Sequence, residues 1–204
     1  MKRLAGVIIA SIVMGAMAAG AAVVPPTAPQ PGGITKGTVV LKKVDSQKLL
    51  TPTYSVTPTP PASKVQRSWQ DVTLYFDTHP EWLDDLELKC YVLLKPKVAT
   101  QGSKQMCLRG DIALVNVAKG KHKVDFFVHP NTLLRYGDVD AVAVIVSKQE
   151  QLIGTLSQPP SSRRWWEEYQ PVSGLVLRRA DTPFGLLNYD DYEQVKETPA
   201  GGTR

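Results

Sequence analysis

An alternating segment, residues 86–94, constrains the fold more than any other part of the chain. Apolar side chains occupy positions 86, 88, 90, 92 and 94, and Glu87 and Lys89 lie between them. A two-residue period is typical of a β-strand that buries one face. Similar apolar runs, separated by turn residues, recur from Trp69 to Ser157 without a long helical pattern between them. The sequence therefore predicts an all-β fold, an antiparallel immunoglobulin-like β-sandwich, with a β-barrel as the alternative.

The turn residues predict where these strands begin and end. Strands are expected over 69–77, 86–94, 106–117, 122–128, 139–147 and 152–157. Pro80 is expected to end the first strand in a single helical turn, Gly110 to interrupt the third, and residues 118–121 to form a hairpin turn. Residues 130–136 predict a short helical corner. The strand at 139–147 is apolar on both faces, which predicts a central position in its sheet.

The first 21 residues have the features of a signal peptide. Lys2 and Arg3 precede an uncharged apolar stretch, and residues 19–21 fit the small-residue pattern of a cleavage site. The alternative is a retained membrane anchor, because the apolar part is just long enough to span a bilayer. Either way, the rest of the chain is predicted to be exported to the periplasm, the cell surface or the extracellular space.

Composition divides the exported part into three regions. Prolines and glycines predict a linker at 22–63, with short edge strands at 38–41 and 53–57. The sandwich core is expected at 64–158. Residues 159–204 are rich in aromatic side chains but too few to build a core of their own, so they are expected to dock on the sandwich and end in a disordered tail.

The chain has two cysteines, Cys90 and Cys107. In an oxidising compartment an isolated pair flanking one loop predicts a disulfide between neighbouring strands. Such a bond would stabilise the fold by about 3 kcal/mol in the loop-entropy account. Two cysteines without a histidine at ligand spacing do not predict a structural zinc site.

Charge and motifs argue against several classes of function. The net charge of +5 falls to +3 when the two basic residues of the signal peptide are removed, and the remaining charges are interspersed, so nucleic-acid binding is not expected. The nucleophile patterns G-x-S-x-G and S-x-x-K are absent, His79, His122 and His129 do not share ligand spacing, and the acids within 77–85 lack a calcium-loop pattern. The sequence therefore predicts no enzyme activity, no cofactor and no metal site, and a secreted hydrolase using these acids is the least favoured function.

A tryptophan pair in the C-terminal segment is the strongest candidate for partner binding. Neighbouring residues on a helical turn point about 100° apart, so one ring is expected to pack on the sandwich and the other to face a partner or stack on a sugar. Burial of both rings is the remaining alternative. The predicted partner-binding residues are Arg163, Arg164, Trp165 and Trp166.

The order of four short motifs carries a family resemblance. These are Trp82-Leu83-Asp84-Asp85, residues 130–136, Trp165-Trp166-Glu167 and Thr182-Pro183-Phe184. In this order the chain resembles the exported immunoglobulin-like proteins that are encoded beside type IV pilus genes in gut Verrucomicrobia. The resemblance implies a non-enzymatic envelope or pilus-associated role, with envelope or pilus proteins as partners.

The chain lacks the long N-terminal helix of a pilin that continues into the mature domain, so an accessory protein is expected rather than a pilin subunit. A secreted carbohydrate-binding module that uses exposed aromatic residues is the alternative function. A membrane is a partner only if the N-terminal segment is retained.

Overall fold

The computed structural model describes residues 38–54, 66–97, 104–188 and 195–196. The predicted signal peptide and most of the predicted C-terminal tail lie outside the described residues. The strands are β1 Val39–Leu50, β2 Ser68–Leu83, β3 Leu86–Lys95, β4 Met106–Leu114, β5 Val117–Val128, β6 Asp138–Lys148, β7 Gln151–Gln158, β8 Val172–Ser173 and β9 Val176–Arg178. Helix α1 covers Pro130–Tyr136, and short 3₁₀ turns cover Trp165–Glu167, Arg179–Asp181 and Pro183–Leu186.

The strands form two stacked sheets in the order expected for an immunoglobulin-like sandwich. A four-stranded sheet has the order β1-β2-β5-β9, and a five-stranded sheet has the order β7-β6-β3-β4-β8. The first seven strands thus reproduce the A-B-E and G-F-C-C′ pairing of immunoglobulin-type domains. All ladders are antiparallel except the short β4–β8 pair. The predicted fold class is confirmed.

The core lies between the sheets and comes from the alternating faces of the central strands. The even-numbered residues 86 to 94 of β3 are fully buried, and they pack against Val72, Leu74 and Phe76 of β2. Strand β6 lies between β3 and β7, as its two apolar faces predict. Helix α1 forms the corner before β6, and the ring nitrogen Nδ1 of His129 caps it by accepting a hydrogen bond from the amide of Asn131.

Strand β2 does not end at Pro80, so that prediction was wrong. The strand continues to Leu83, and its ladder with β5 is irregular between Thr78 and Trp82. Proline lacks an N–H donor, and its place in an irregular stretch means that no regular ladder bond is lost. Residues 118–121, predicted as a hairpin turn, pair with β2 inside β5. The tight turn before β5 instead has Asn116 in the left-handed region, with φ of 53°.

Strand β4 is continuous through Gly110, which was expected to interrupt it. Gly110 pairs with Cys90 in an unbroken ladder. A Cβ atom at Gly110 would lie 2.7 Å from the Cβ of Val176 on β9. The glycine therefore serves close packing of the C-terminal segment and not a break in the strand.

The sandwich begins inside the predicted linker. Strand β1 is 12 residues long, far longer than the edge strand expected at 38–41, and Val39 and Val44 belong to the core. Thr53 and Tyr54 follow the strand without regular structure, and the rest of the second expected edge strand lies outside the described residues.

The C-terminal segment packs along one side of the sandwich through β8 and β9, and we name this the closed side. Strand β8 pairs with β4 of the five-stranded sheet, and three residues later β9 pairs with β5 of the four-stranded sheet. Val195 makes a further bridge to Leu114 at the other end of β4. None of the helices within the described ranges is long and apolar enough to cross a membrane.

Candidate functional site

Both tryptophans of the predicted partner site are buried against the outer face of the five-stranded sheet. Trp165 is 9% exposed and Trp166 is 7% exposed. Their rings meet edge to face with centroids 5.6 Å apart, and Trp166 stacks on Tyr91 of β3 at 6.4 Å. They cover the side chains of Leu93, Cys107 and Ala143, among others.

The expectation that one of the two rings faces a partner was therefore wrong, and the alternative, burial of both rings, is the observed arrangement. The outer face of β3 and β6 is apolar, because Tyr91, Leu93, Ala143 and Ile145 all point to it. This surface is wide enough to take both rings of the short 3₁₀ turn. The indole nitrogen of Trp165 is buried and has no hydrogen-bond partner within the described part of the chain.

Arg163 and Arg164, the other two residues of that site, are exposed. Arg163 forms a bidentate ion pair with Glu168. Nη1 of Arg164 lies 3.3 Å from Oε1 of Glu167. Solvent screens exposed pairs of this kind, so a partner can replace them at little cost. We name these four charged residues, Arg163, Arg164, Glu167 and Glu168, the charged rim.

The predicted Cys90–Cys107 disulfide is not formed, and both cysteines are free thiols. Cys90 pairs across the ladder with Gly110, three residues from Cys107. An odd offset places the two side chains on opposite faces of the sheet, and three residues of strand separate them by about 10 Å, beyond disulfide reach. Cys90 lies in the core and Cys107 under the tryptophans. Burial raises the pKa of both thiols, that of Cys107 to about 11.

The structure does not bring the three histidines together. His122 stacks on Phe76 and contacts Thr78, whereas His129 caps α1 and lies edge to face with Trp69. His79 sits on the irregular part of β2. Among the described residues no three histidine, cysteine or acidic side chains gather closely enough to hold a metal ion.

A buried polar cluster, which was not predicted from the sequence, lies on the outer face of the four-stranded sheet. Arg179, from the C-terminal segment, pairs with the buried Asp125 and lies over the ring of Phe127. Asp71 accepts hydrogen bonds from Gln47 at 3.2 Å and Thr73 at 3.3 Å. Burial, helped by the charge of Asp125, raises the pKa of Asp71 to about 6. The signal for this cluster was an aspartate inside each of two neighbouring apolar strands.

Opposite the closed side, β1 and β7 lie next to each other as the outermost strands of the two sheets. Leu41 of β1 packs over Gly154 of β7. Its Cδ1 atom lies 3.0 Å from the position that a Cβ atom at Gly154 would occupy. Two clefts follow this side, one of about 500 Å³ lined by Lys43, Val44 and Thr155 among others, and one of about 380 Å³ near Lys48 and Asp138. We name the edges of β1 and β7, with these two clefts, the open side.

The chain matches a protein-family model and shares its fold with a protein of known structure. A protein-family model matches residues 33–199. A crystal structure of a protein from Akkermansia muciniphila superimposes with a TM-score of 0.65 at 20% sequence identity, covering 78% of this chain and 93% of that one. At that identity the likeness concerns the fold. No curated protein matches the chain.

Proposed function

The chain belongs to the family whose model spans residues 33–199, and we propose that it is a non-enzymatic, exported interaction protein of the cell envelope. In this proposal it is an accessory component of a type IV pilus system and captures an extended segment of an envelope or pilus protein along its open side. The resemblance to exported proteins encoded beside pilus genes supports the setting, and so does a related fold in Akkermansia muciniphila.

This mode of binding is supported by the unequal lengths of the outermost strands on the two sides of the sandwich. On the closed side the outermost strands, β8 and β9, have two and three residues. On the open side β1 has 12 residues and β7 has eight. Within the described residues no further strand pairs with the outer edges of β1 and β7. Long unpaired edges are the templates that extended peptides use when they add a strand to a sheet.

The two halves of β1 differ in how well they can accept a strand. Its ladder with β2 is irregular between Leu41 and Lys43, and an irregular edge disfavours pairing. From Val44 to Leu50 the ladder is regular. We therefore place the added strand along Val44–Leu50, where main-chain hydrogen bonds supply affinity and the two clefts supply side-chain selection.

The charged rim lies next to the open side and completes the proposed surface. Ser161 lines the larger cleft, and its hydroxyl bonds to the backbone of Arg163. In this account Trp165 and Trp166 contribute indirectly, because their burial holds the rim in place. Arg163 and Arg164 then select acidic groups that flank the captured strand.

Capture from the native envelope tests the proposal. Thr155→Trp puts a bulky ring into the larger cleft, and Ser173→Trp puts the same ring on the closed side as a matched control. We expect the wild type and the Ser173 variant to capture the same envelope protein and the Thr155 variant to lose it, with all three equally folded by circular dichroism. Equal capture by both variants, or loss only with Ser173→Trp, would overturn the proposal.

A further inference from the structure

A third cleft, of about 380 Å³, lies away from the open side, between α1 and the C-terminal segment. The end of α1, the start of β4 and the loop before β8 form its walls. Its polar lining comprises Arg135, Tyr136, Lys104, Gln105, Tyr169 and Gln170. Its size is that of a small-molecule site at the lower end of the usual range, large enough for a single sugar ring.

The charged residues described in the lining of this cleft are both cations. Arg135 and Lys104 are exposed cations, and neither pairs with a carboxylate in the described part of the chain. Among the described residues, no aspartate or glutamate lines the cleft. The guanidinium of Arg135 lies 4.9 Å from the centre of the Tyr136 ring. This stacking restricts the arginine and leaves its N–H donors for a ligand.

A fixed chain of hydrogen bonds builds the opposite wall. The hydroxyl of Tyr169 donates to Oε1 of Gln105 at 2.6 Å, and Nε2 of Gln105 donates to Asp140 at 3.1 Å. Asp140 is thus engaged behind the wall, and Gln105 is held in one orientation. The Tyr169 oxygen still accepts a hydrogen bond. The cleft therefore combines free cationic donors, an ordered polar wall and the apolar surface of Pro96 and Met106.

We propose that this cleft binds a hexuronic acid residue of an envelope or host glycan. The carboxylate lies between Arg135 and Lys104, the only charged groups among the described residues of the lining. The ring hydroxyls meet the amides and the Tyr169 hydroxyl, and the less polar face of the ring lies on Pro96 and Met106. A pyranose acid satisfies all three parts of the lining, whereas a bare anion uses only the cations. This site does not depend on strand capture at the open side.

Titration of the exported protein with methyl glucuronide, followed by NMR, tests the assignment. We expect saturable binding in the millimolar range, with shifts of the Tyr169 and Gln105 side chains. Methyl glucoside, which lacks the carboxylate, should bind at least about tenfold more weakly, because a charge-assisted hydrogen bond is lost. Arg135→Gln should weaken glucuronide binding by about the same factor.

Two controls make the outcome decisive. Lys119→Gln removes an exposed lysine at the far end of β5 and should leave binding unchanged. Inorganic phosphate should not compete when present at the same concentration as the sugar. Absence of saturable binding, equal affinity for the two sugars, equal competition by phosphate, or full binding by a folded Arg135→Gln variant would each overturn the assignment. Capture at the open side would be unaffected by any of these results.

Discussion

Replacing Trp166 with alanine should uncover the thiol of Cys107 and leave that of Cys90 protected. Cys107 is 2% exposed and lies on the outer face of its sheet, in the cluster that contains both tryptophans. Cys90 is on the opposite face, inside the sandwich. Removal of the indole opens the outer cluster to water without opening the core.

The size of the effect follows from the pKa of the thiol. Burial raises the pKa of Cys107 to about 11, against 9.0 for a solvated thiol, and the thiolate is the reactive form. At about pH 8, below both values, a fall of two pKa units increases the thiolate fraction about 100-fold. Greater access of the reagent adds to this factor. The substitution should also lower the free energy of unfolding by about 3–5 kcal/mol, the usual cost of deleting a buried aromatic ring.

The assay is the rate of reaction with a thiol reagent under native conditions, with each cysteine identified by peptide mass. The unreduced wild type should show two slow thiols that both react in denaturant. Trp166→Ala should show a Cys107 rate at least about 100-fold higher and an unchanged Cys90 rate. Trp82→Ala, at a ring that is 64% exposed, is the control and should change neither rate. An unreactive Cys107 in Trp166→Ala, or a wild type without titratable thiols, would refute the reasoning.

Three substitutions test the contacts of the C-terminal segment by urea denaturation. Gly110→Val should reduce stability by about 1–3 kcal/mol, since its side chain overlaps Val176. Arg179→Met should reduce it by about 3–5 kcal/mol, because Asp125 is left buried without its cation. Asp71→Asn should raise stability at neutral pH. The fold raises the pKa of Asp71 from 3.8 to about 6, so the native state binds more protons than the unfolded state between these pH values. The stability of the wild type should therefore fall, by at most about 3 kcal/mol, as the pH rises from about 4 to 6.

Each of these expectations has an opposing result. A Gly110→Val protein as stable as wild type would mean that β9 does not pack on β4. An Arg179→Met protein of wild-type stability would mean that the arginine and Asp125 are solvated. If Asp71→Asn keeps the wild-type pH dependence, Asp71 is not the titrating group.

The sandwich could be predicted because its central strands carry the information locally. Strand β3 alternates, and β6 is apolar on both faces. The apolar second face of β6 also indicated that the outer face of this sheet is covered, which was not predicted. In a two-layer fold only one face of a sheet meets the core, so an apolar outer face requires a cover. The apolar outer face of β6 therefore predicts a cover, and the structure shows that Trp165 and Trp166 supply it.

Other features depend on register and on distant contacts, which no local pattern contains. The disulfide prediction failed because the offset between Cys90 and Cys107 is set by the β3–β4 register, and a change of one residue reverses the facing side. From the sequence alone Gly110 resembles a strand break, because its close approach to Val176 is visible only in the fold. The cleft beside α1 joins residues 104–105, 135–136 and 169–170, whose proximity exists only in the fold.

Hydrogen–deuterium exchange of the protein with and without the captured envelope protein tests strand addition most directly. Strand addition pairs backbone amides, which side-chain contact alone does not do. Strand addition at the proposed place predicts slower exchange in β1, between Val44 and Leu50, on binding, with unchanged exchange in β8 and β9. Protection confined to β8 and β9, or binding without protection of Val44–Leu50, would contradict it.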